Sequence, residues 1–343
     1  MFHMAKDISM KIVSVEKVYA NGKHNAFTGL GYVNGRYVLA FRQSDGHADA
    51  SGKILLLESG DGKHWAEQQS FSLPEKDGIS FDFRDSYFLS EQNRILFYHF
   101  FTPVQDRKRL PSSTQVMSST DGRNWSAPTK LEGVVLWHPV SAFGKYYAAG
   151  YSVKEGKGHQ CCLFSSADGI NWGKVVRIAD GSETAVYPWE DGSLLAFVRT
   201  ETPPYFLEIF QSAPPFTDWK RIVIVPKIIQ APHVFTVGSQ VFLSGRERPD
   251  YQKTADAKKP SFGLHRTKIW KVGADVSIEE ALELPSSGDN AYTGTVVNPD
   301  GTVWMSYYSQ HETGASGTWR SVAAADIFIA HLKATDQRFP RPY

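Results

Sequence analysis

One short pattern recurs along this chain and constrains its fold more than any composition figure does. Ser59, Asp61, Gly62 and Trp65, then Ser119, Asp121, Gly122 and Trp125, then Ser166, Asp168, Gly169 and Trp172 all fit SxDGxxW. A weaker fourth copy, Ser212 to Trp219, keeps the Ser and the Trp but has lost the Asp-Gly core. The spacings of 60, 47 and 46 residues suit a repeated supersecondary unit. Asp accepts hydrogen bonds from the backbone just ahead of it and Gly takes positive φ without steric cost. Each copy therefore predicts a turn between two strands, with the Trp packed under it.

A second repeat runs out of phase with the first: a turn residue followed by a short β-rich run. Its six copies are Gly35 to Arg42, Asn93 to Phe100, Gly144 to Tyr151, Gly192 to Arg199, Gly238 to Arg246 and Gly301 to Tyr308. A shorter apolar strand precedes each copy, and a third strand leads on to the SxDGxxW turn. Helical periodicity is nearly absent, and even Ile278 to Leu284 reads as readily as an outer strand. Six such units, each about 50 residues long, predict an all-β six-bladed β-propeller, in which radial closure leaves few exposed sheet edges. The expected organisation is a single domain over residues 1–343, with Lys11 to Tyr19 completing the last blade beside Asp326 to Leu332. Thr102 to Ser113 and Arg248 to Pro260 read as inserted loops. Cys161 and Cys162 read as strand residues, too few for a disulfide framework or a metal cage.

Charge narrows the function classes. With 37 Lys and Arg against 36 Asp and Glu, the chain has no field of one sign, which argues against nucleic acid or an anionic membrane as its partner. No apolar run approaches the roughly 18 residues of a membrane-spanning helix, and the first residues lack the pattern of a secretory signal. The expectation is a cytoplasmic protein, or a periplasmic or secreted one if an export signal has been removed.

In a propeller, inner strand ends converge on one mouth of the central channel, so a site is assembled from distant sequence. Those positions here are polar: Arg42 and His47, Arg84 and Asp85, Trp137 and His138, Glu183 and Arg199, His233 and Arg246, and Asp289, Tyr292, His311 and Glu312. Several Arg among carboxylates suit an anionic, hydroxyl-rich ligand, because the guanidinium fork pairs with carboxylate or sulfate through two hydrogen bonds. The adjacent Arg84 and Asp85 read rather as a structural pair that orients local turns. Trp137, beside His138, suits a sugar subsite, whereas the four repeat Trp are structural. His47, His138, His233 and His311 have no ligand-type spacing, so neither a metal nor another cofactor is expected.

SxDGxxW resembles the Asp-box of the sialidase superfamily, whose catalytic members are six-bladed propellers. The run from Glu183 through Asp191 and Gly192 to Arg199 looks like the sialidase segment holding the catalytic Glu and the second carboxylate-binding Arg. Gly245-Arg246 falls where the third Arg would be, and Asp289 to Gly294, with Tyr292, resembles the segment of the nucleophilic Tyr. The whole chain is similar to bacterial sialidase-like, BNR-repeat glycosyl hydrolases. It departs where sialidases carry Arg-Ile-Pro and the first Arg of the triad: the stretch here reads Asn25-Ala26-Phe27-Thr28. The resemblance implies Tyr292 as nucleophile, Glu183 as its base, Asp45 or His47 as acid/base, and Arg199 and Arg246 as anion clamps, with Arg42 replacing the missing member.

The expected function is an exo-acting glycoside hydrolase on a carboxylated or sulfated glycan, with an oligosaccharide as partner and an undetermined oligomeric state. Two alternatives stay open. One is a polysaccharide lyase acting on a uronic acid; the other is a glycan-binding propeller without turnover.

Overall fold

A computed structural model describes residues 8–50, 52–154, 158–249, 264–314 and 324–336. Six antiparallel sheets succeed one another along the chain, each with its first strand innermost and next to the first strands of its neighbours. The inner strands are His24–Val33, Ile79–Ser90, Val135–Ala142, Ser182–Pro188, Ile229–Val237 and Ala291–Val297. The molecule is the six-bladed propeller that the interlocked repeats predict.

Second strands are buried almost end to end. In Arg36–Ser44, for example, every residue after the first is covered. Each sheet packs neighbouring blades on both faces, so these strands read as continuous apolar runs rather than as alternation. Outer strands such as Lys220–Val225 are largely exposed. Ile278–Glu283 is an outer strand, and Cys161 and Cys162 lie buried as free thiols in Gly158–Ser166.

The repeat turns are hydrogen-bonded as expected, and they also clamp neighbouring blades. Ser59 Oγ accepts the Gly62 N–H (2.8 Å), Asp61 Oδ1 accepts the N–H groups of Lys63 and His64 (both 2.9 Å), and Trp65 Nε1 donates to the Gly62 carbonyl (3.1 Å). Gly62, Gly122 and Gly169 have φ of 75°, 73° and 75°. Each turn rests on the preceding blade: Gly62 against Trp304, Gly122 against Val38 and Gly169 against Leu96. In the degenerate fourth copy Phe216 takes the glycine's place at φ 66°, and Trp219 Nε1 still donates to its carbonyl (3.2 Å).

The N-terminal strand Ile8–Tyr19 pairs antiparallel with Asp326–Asp336, from Ile8 opposite Asp336 to Tyr19 opposite Ile327, and so completes the sixth blade. Ala325 then reaches the first blade, with Asn25 N donating to its carbonyl and its own N donating to Lys23 O (both 3.1 Å). The segment Thr102 to Ser113 is more ordered than a loop. The second strand of blade two runs on to Gln105, and Lys108–Arg109 folds back to pair with it. Of the stretch Arg248 to Pro260, all beyond Pro249 lies outside the described residues.

Candidate active site

All six inner strands carry one residue more than their partner at the same level. The registers shift between Ala26 and Gly29, Arg84 and Ser86, Trp137 and Val140, Ser182 and Ala185, Gln230 and His233, and Ala291 and Gly294. Five of these bulges hold a non-glycine residue in the left-handed region: Phe27 (φ 58°), Asp85 (42°), His138 (35°), Ala231 (52°) and Tyr292 (51°). A bulge re-aims a side chain, and such backbone persists only where the surroundings enforce it. Glu183 occupies the sixth.

Phe27, Asp85, Glu183 and Tyr292, from four of these bulges, meet in one pocket of about 390 Å³ with His47, Arg84, Arg199, Arg246 and Asp289. Tyr292 Oη donates to Glu183 Oε1 at 2.7 Å across 109 residues of chain. Glu183 Oε2 accepts the Arg199 guanidinium and the backbone N–H of Ala231 (2.9 Å), and Arg199 Nε also reaches Glu201 (3.1 Å). Burial pushes the Glu183 carboxyl up, but the charge and hydrogen bond of Arg199, with the Tyr292 hydroxyl, outweigh it and hold its pKa below the ordinary range. The Tyr292 phenol is driven far above its usual value by burial and by the Glu183 charge. The pair rests as carboxylate and neutral phenol.

Asp289 anchors the opposite wall. Its Oδ1 accepts Arg246 Nη1 (2.7 Å) and Tyr308 Oη (2.8 Å), while His24 Nε2 (2.9 Å) and His47 Nδ1 meet its Oδ2. These partners offset burial and keep the carboxyl ionised. His24, His47 and Asp289 place one ligand-type atom each within 4.8 Å of one another, so among the described residues they are the group with the donor set for a divalent cation. Their contacts are already made as hydrogen bonds, with Arg246 supplying positive charge on the other oxygen.

Asp85 behaves differently. It is 5% exposed, its Oδ1 has no hydrogen-bond partner among the described residues, and burial together with the nearby Glu183 charge raises its pKa to about 8. A carboxyl that is protonated at neutral pH thus faces the same space as the Tyr292 and Glu183 pair. Arg84 lies 5.3 Å from the centre of the Phe27 ring, beside the position where the resemblance lacks an Arg. It is held by Asp82 and the His47 carbonyl.

Of the residues that the sequence places at the mouth, eight line this pocket: His47, Arg84, Asp85, Glu183, Arg199, Arg246, Asp289 and Tyr292. The others do not. Arg42 is wholly buried and bonded to Asp82 (2.8 Å), a structural ion pair rather than a ligand clamp. Asp45 is exposed on the rim and pairs with Lys23 (3.2 Å), so it is not placed for proton transfer in the pocket. Trp137 is fully buried, its Nε1 donating to the Pro232 carbonyl (2.9 Å), and offers no face to a sugar. His138 and His233 stack on each other (centroids 4.1 Å apart, planes 6°) outside the pocket lining. His311 bonds Ser309 (2.9 Å) and Glu312 pairs with Lys17 (2.9 Å), both away from the pocket. Phe27, Phe100, Tyr151, Gln230 and His265 line it without having been singled out. Their signal was positional, Phe27 and Gln230 lying on inner strands, Phe100 and Tyr151 on second strands and His265 just before a third, but such side chains there look like core.

No protein-family model matches the chain, and no curated protein does. Solved structures do. Trypanosoma rangeli sialidase in complex with sialic acid is 13% identical with a TM-score of 0.67, the alignment covering 96% of this chain and 59% of that one. The chain therefore spans less than two thirds of that sialidase. Penicillium chrysogenum alpha-L-arabinanase complexed with arabinobiose is 12% identical, with a TM-score of 0.58 and coverage of 93% and 98%. Zg3597, a family 117 glycoside hydrolase of the marine bacterium Zobellia galactanivorans, is 11% identical, with a TM-score of 0.53 and coverage of 98% and 96%. At such identities the likeness is one of fold, and the fold is that of glycoside hydrolase propellers.

Proposed function

We propose that this chain is an exo-acting glycoside hydrolase on an acidic glycan, working with retention through a tyrosine nucleophile. The observation that carries this reading is the 2.7 Å hydrogen bond from Tyr292 Oη to a Glu183 carboxylate that Arg199 keeps ionised. As the phenolic oxygen attacks the anomeric carbon, Glu183 takes its proton. A neutral nucleophile avoids repulsion with an anionic substrate, the circumstance in which sialidases depart from the two-carboxylate scheme. Asp85, protonated near neutral pH, gives its proton to the leaving oxygen and later draws one from water. Arg199, Arg246 and Arg84 supply the positive wall for a carboxylate or sulfate.

The test is turnover on a panel of carboxylated and sulfated oligosaccharides, with the anomer of the released sugar followed by NMR. Glu183→Gln is expected to lower kcat by about a hundredfold or more, and Tyr292→Phe to lose turnover while still binding ligand. Unchanged turnover in Tyr292→Phe overturns the proposal.

His47 supports a second reading. Burial lowers its pKa, so a neutral imidazole sits beside Arg84 in the pocket, as β-elimination from a uronate requires: an Arg on the carboxylate and a neutral base for the C5 proton. An ultraviolet-absorbing unsaturated product would identify that reaction.

A further inference from the structure

Beside the pocket lies a larger cavity of about 840 Å³ that shares His47, Arg84, Phe100 and Tyr151 with it. Its far side is built by the hairpin extension of blade two: Lys108, Arg109, Leu110 and Pro111. No Asp or Glu is among its described lining residues, whereas three cationic side chains are. Two of them, Arg84 and Arg109, share the buried Asp82 carboxylate with Arg42, three guanidinium groups to one carboxylate. The Arg109 pKa is lowered, by burial first and then by the charge of Arg84, which outweigh the opposing pull of the Asp82 and Asp49 carboxylates. Lys108 has no carboxylate partner among the described residues. Leu110 and Pro111 add exposed apolar surface of the kind that sugar ring faces cover.

We infer that this groove is a second glycan subsite, which takes the neighbouring acidic residue of the same oligosaccharide on the leaving-group side. The inference rests on the proposed glycosidase reading for its orientation. Charge complementarity and continuity with the pocket point to the occupant: a carboxylated or sulfated sugar whose anionic group meets Lys108 and Arg109 while its ring lies against Leu110 and Pro111. A terminal sugar in the pocket would then be joined to a chain leaving over the hairpin.

The experiment is calorimetric titration of the full chain with three tetrasaccharide probes: tetragalacturonate, a heparin-derived tetrasaccharide and neutral maltotetraose. At least one acidic probe is expected to bind about tenfold or more tighter than maltotetraose, and the difference shrinks with added salt. Lys108→Glu and, separately, Leu110→Glu should each remove most of that preference, because both residues are exposed and replaceable without disturbing the fold. Lys174→Glu, on an outer strand of blade three, should not change it. Equal binding of neutral and acidic probes, no binding by either acidic probe, or unchanged affinity in both groove variants overturns the inference. Tyr292→Phe keeps the two readings apart. If it binds the acidic probe but turnover is never found in the wild type, the hydrolase reading fails and the groove stands. If turnover is found but the groove variants bind as the wild type does, the reverse holds.

Discussion

Asp85 keeps a proton at a pH where an ordinary carboxyl has lost it. Its carboxyl is raised to about 8 in the fold against about 4 in the unfolded chain. Between those values the native state holds a proton that the unfolded state has released. Stability is therefore greatest below the lower value and declines as pH rises toward the higher one. Asp85→Asn lacks this dependence, so denaturant titrations from acid to pH 8 should show it gaining on the wild type by up to about 1.4 kcal/mol per pH unit. If Asp85 is also the proton donor, kcat/KM of the wild type falls on a basic limb near 8 that the Asn variant, at its lower activity, does not show. A pH-independent stability difference would contradict both expectations. Glu183, Arg199, Arg246, Asp289 and Tyr292 were legible in the sequence because polar residues at strand ends of a repeat stand out. Asp85 read as part of a turn-orienting pair, since strict period-two alternation cannot reveal that one inserted residue turns it toward the axis. Asp45, two residues from the equally plausible His47, points instead to Lys23 on the rim.

At the scale of elements, the turn and the bulge divide the labour of the blade. The SxDGxxW turn holds the outer edge, and its sequence is readable because the bonds that shape it, from the N–H groups just ahead to the Ser and Asp side chains, are local. Gly169 is required twice there: by its φ of 75°, and by Leu96, which a Cβ would meet at 2.5 Å. Gly294 and Gly29 serve at the other end, where a Cβ would collide with the backbone of the next inner strand, at Leu30 and Ser86 respectively. Gly294→Ala should therefore lower stability by about 1–3 kcal/mol as overpacking does, and should weaken ligand binding with it. Gly173→Ala, with open space around it, should leave the thermal midpoint unchanged. Equal midpoints for the two variants would show that the inner strands tolerate separation. These close approaches link blades far apart in sequence, so no local pattern announces them. The same applies to Thr102 to Ser113, whose pairing as a strand extension depends on the strand it folds back on.

For the molecule as a whole, closure is the feature that makes a site possible, and it was visible in advance because an unpaired strand remained at each end of six similar units. Removing residues 1–19 would leave Asp326–Asp336 as a long bare edge, an invitation to pair with another chain. Such a truncation should aggregate or self-associate in light scattering; a stable monomer would mean that the ring closes by other contacts. The six bulges have a wider implication. Each blade offers one bulged position on its inner strand, filled here by an apolar ring, an acid, an imidazole, a second acid, a methyl group and a phenol, four of which reach the pocket. The scaffold between these positions does not care which side chain each one carries. Reactivity in such an architecture can be rewritten one slot at a time, like changing letters in a word whose length is fixed, and the apolar entries at Phe27 and Ala231 mark where the next letters would be exchanged.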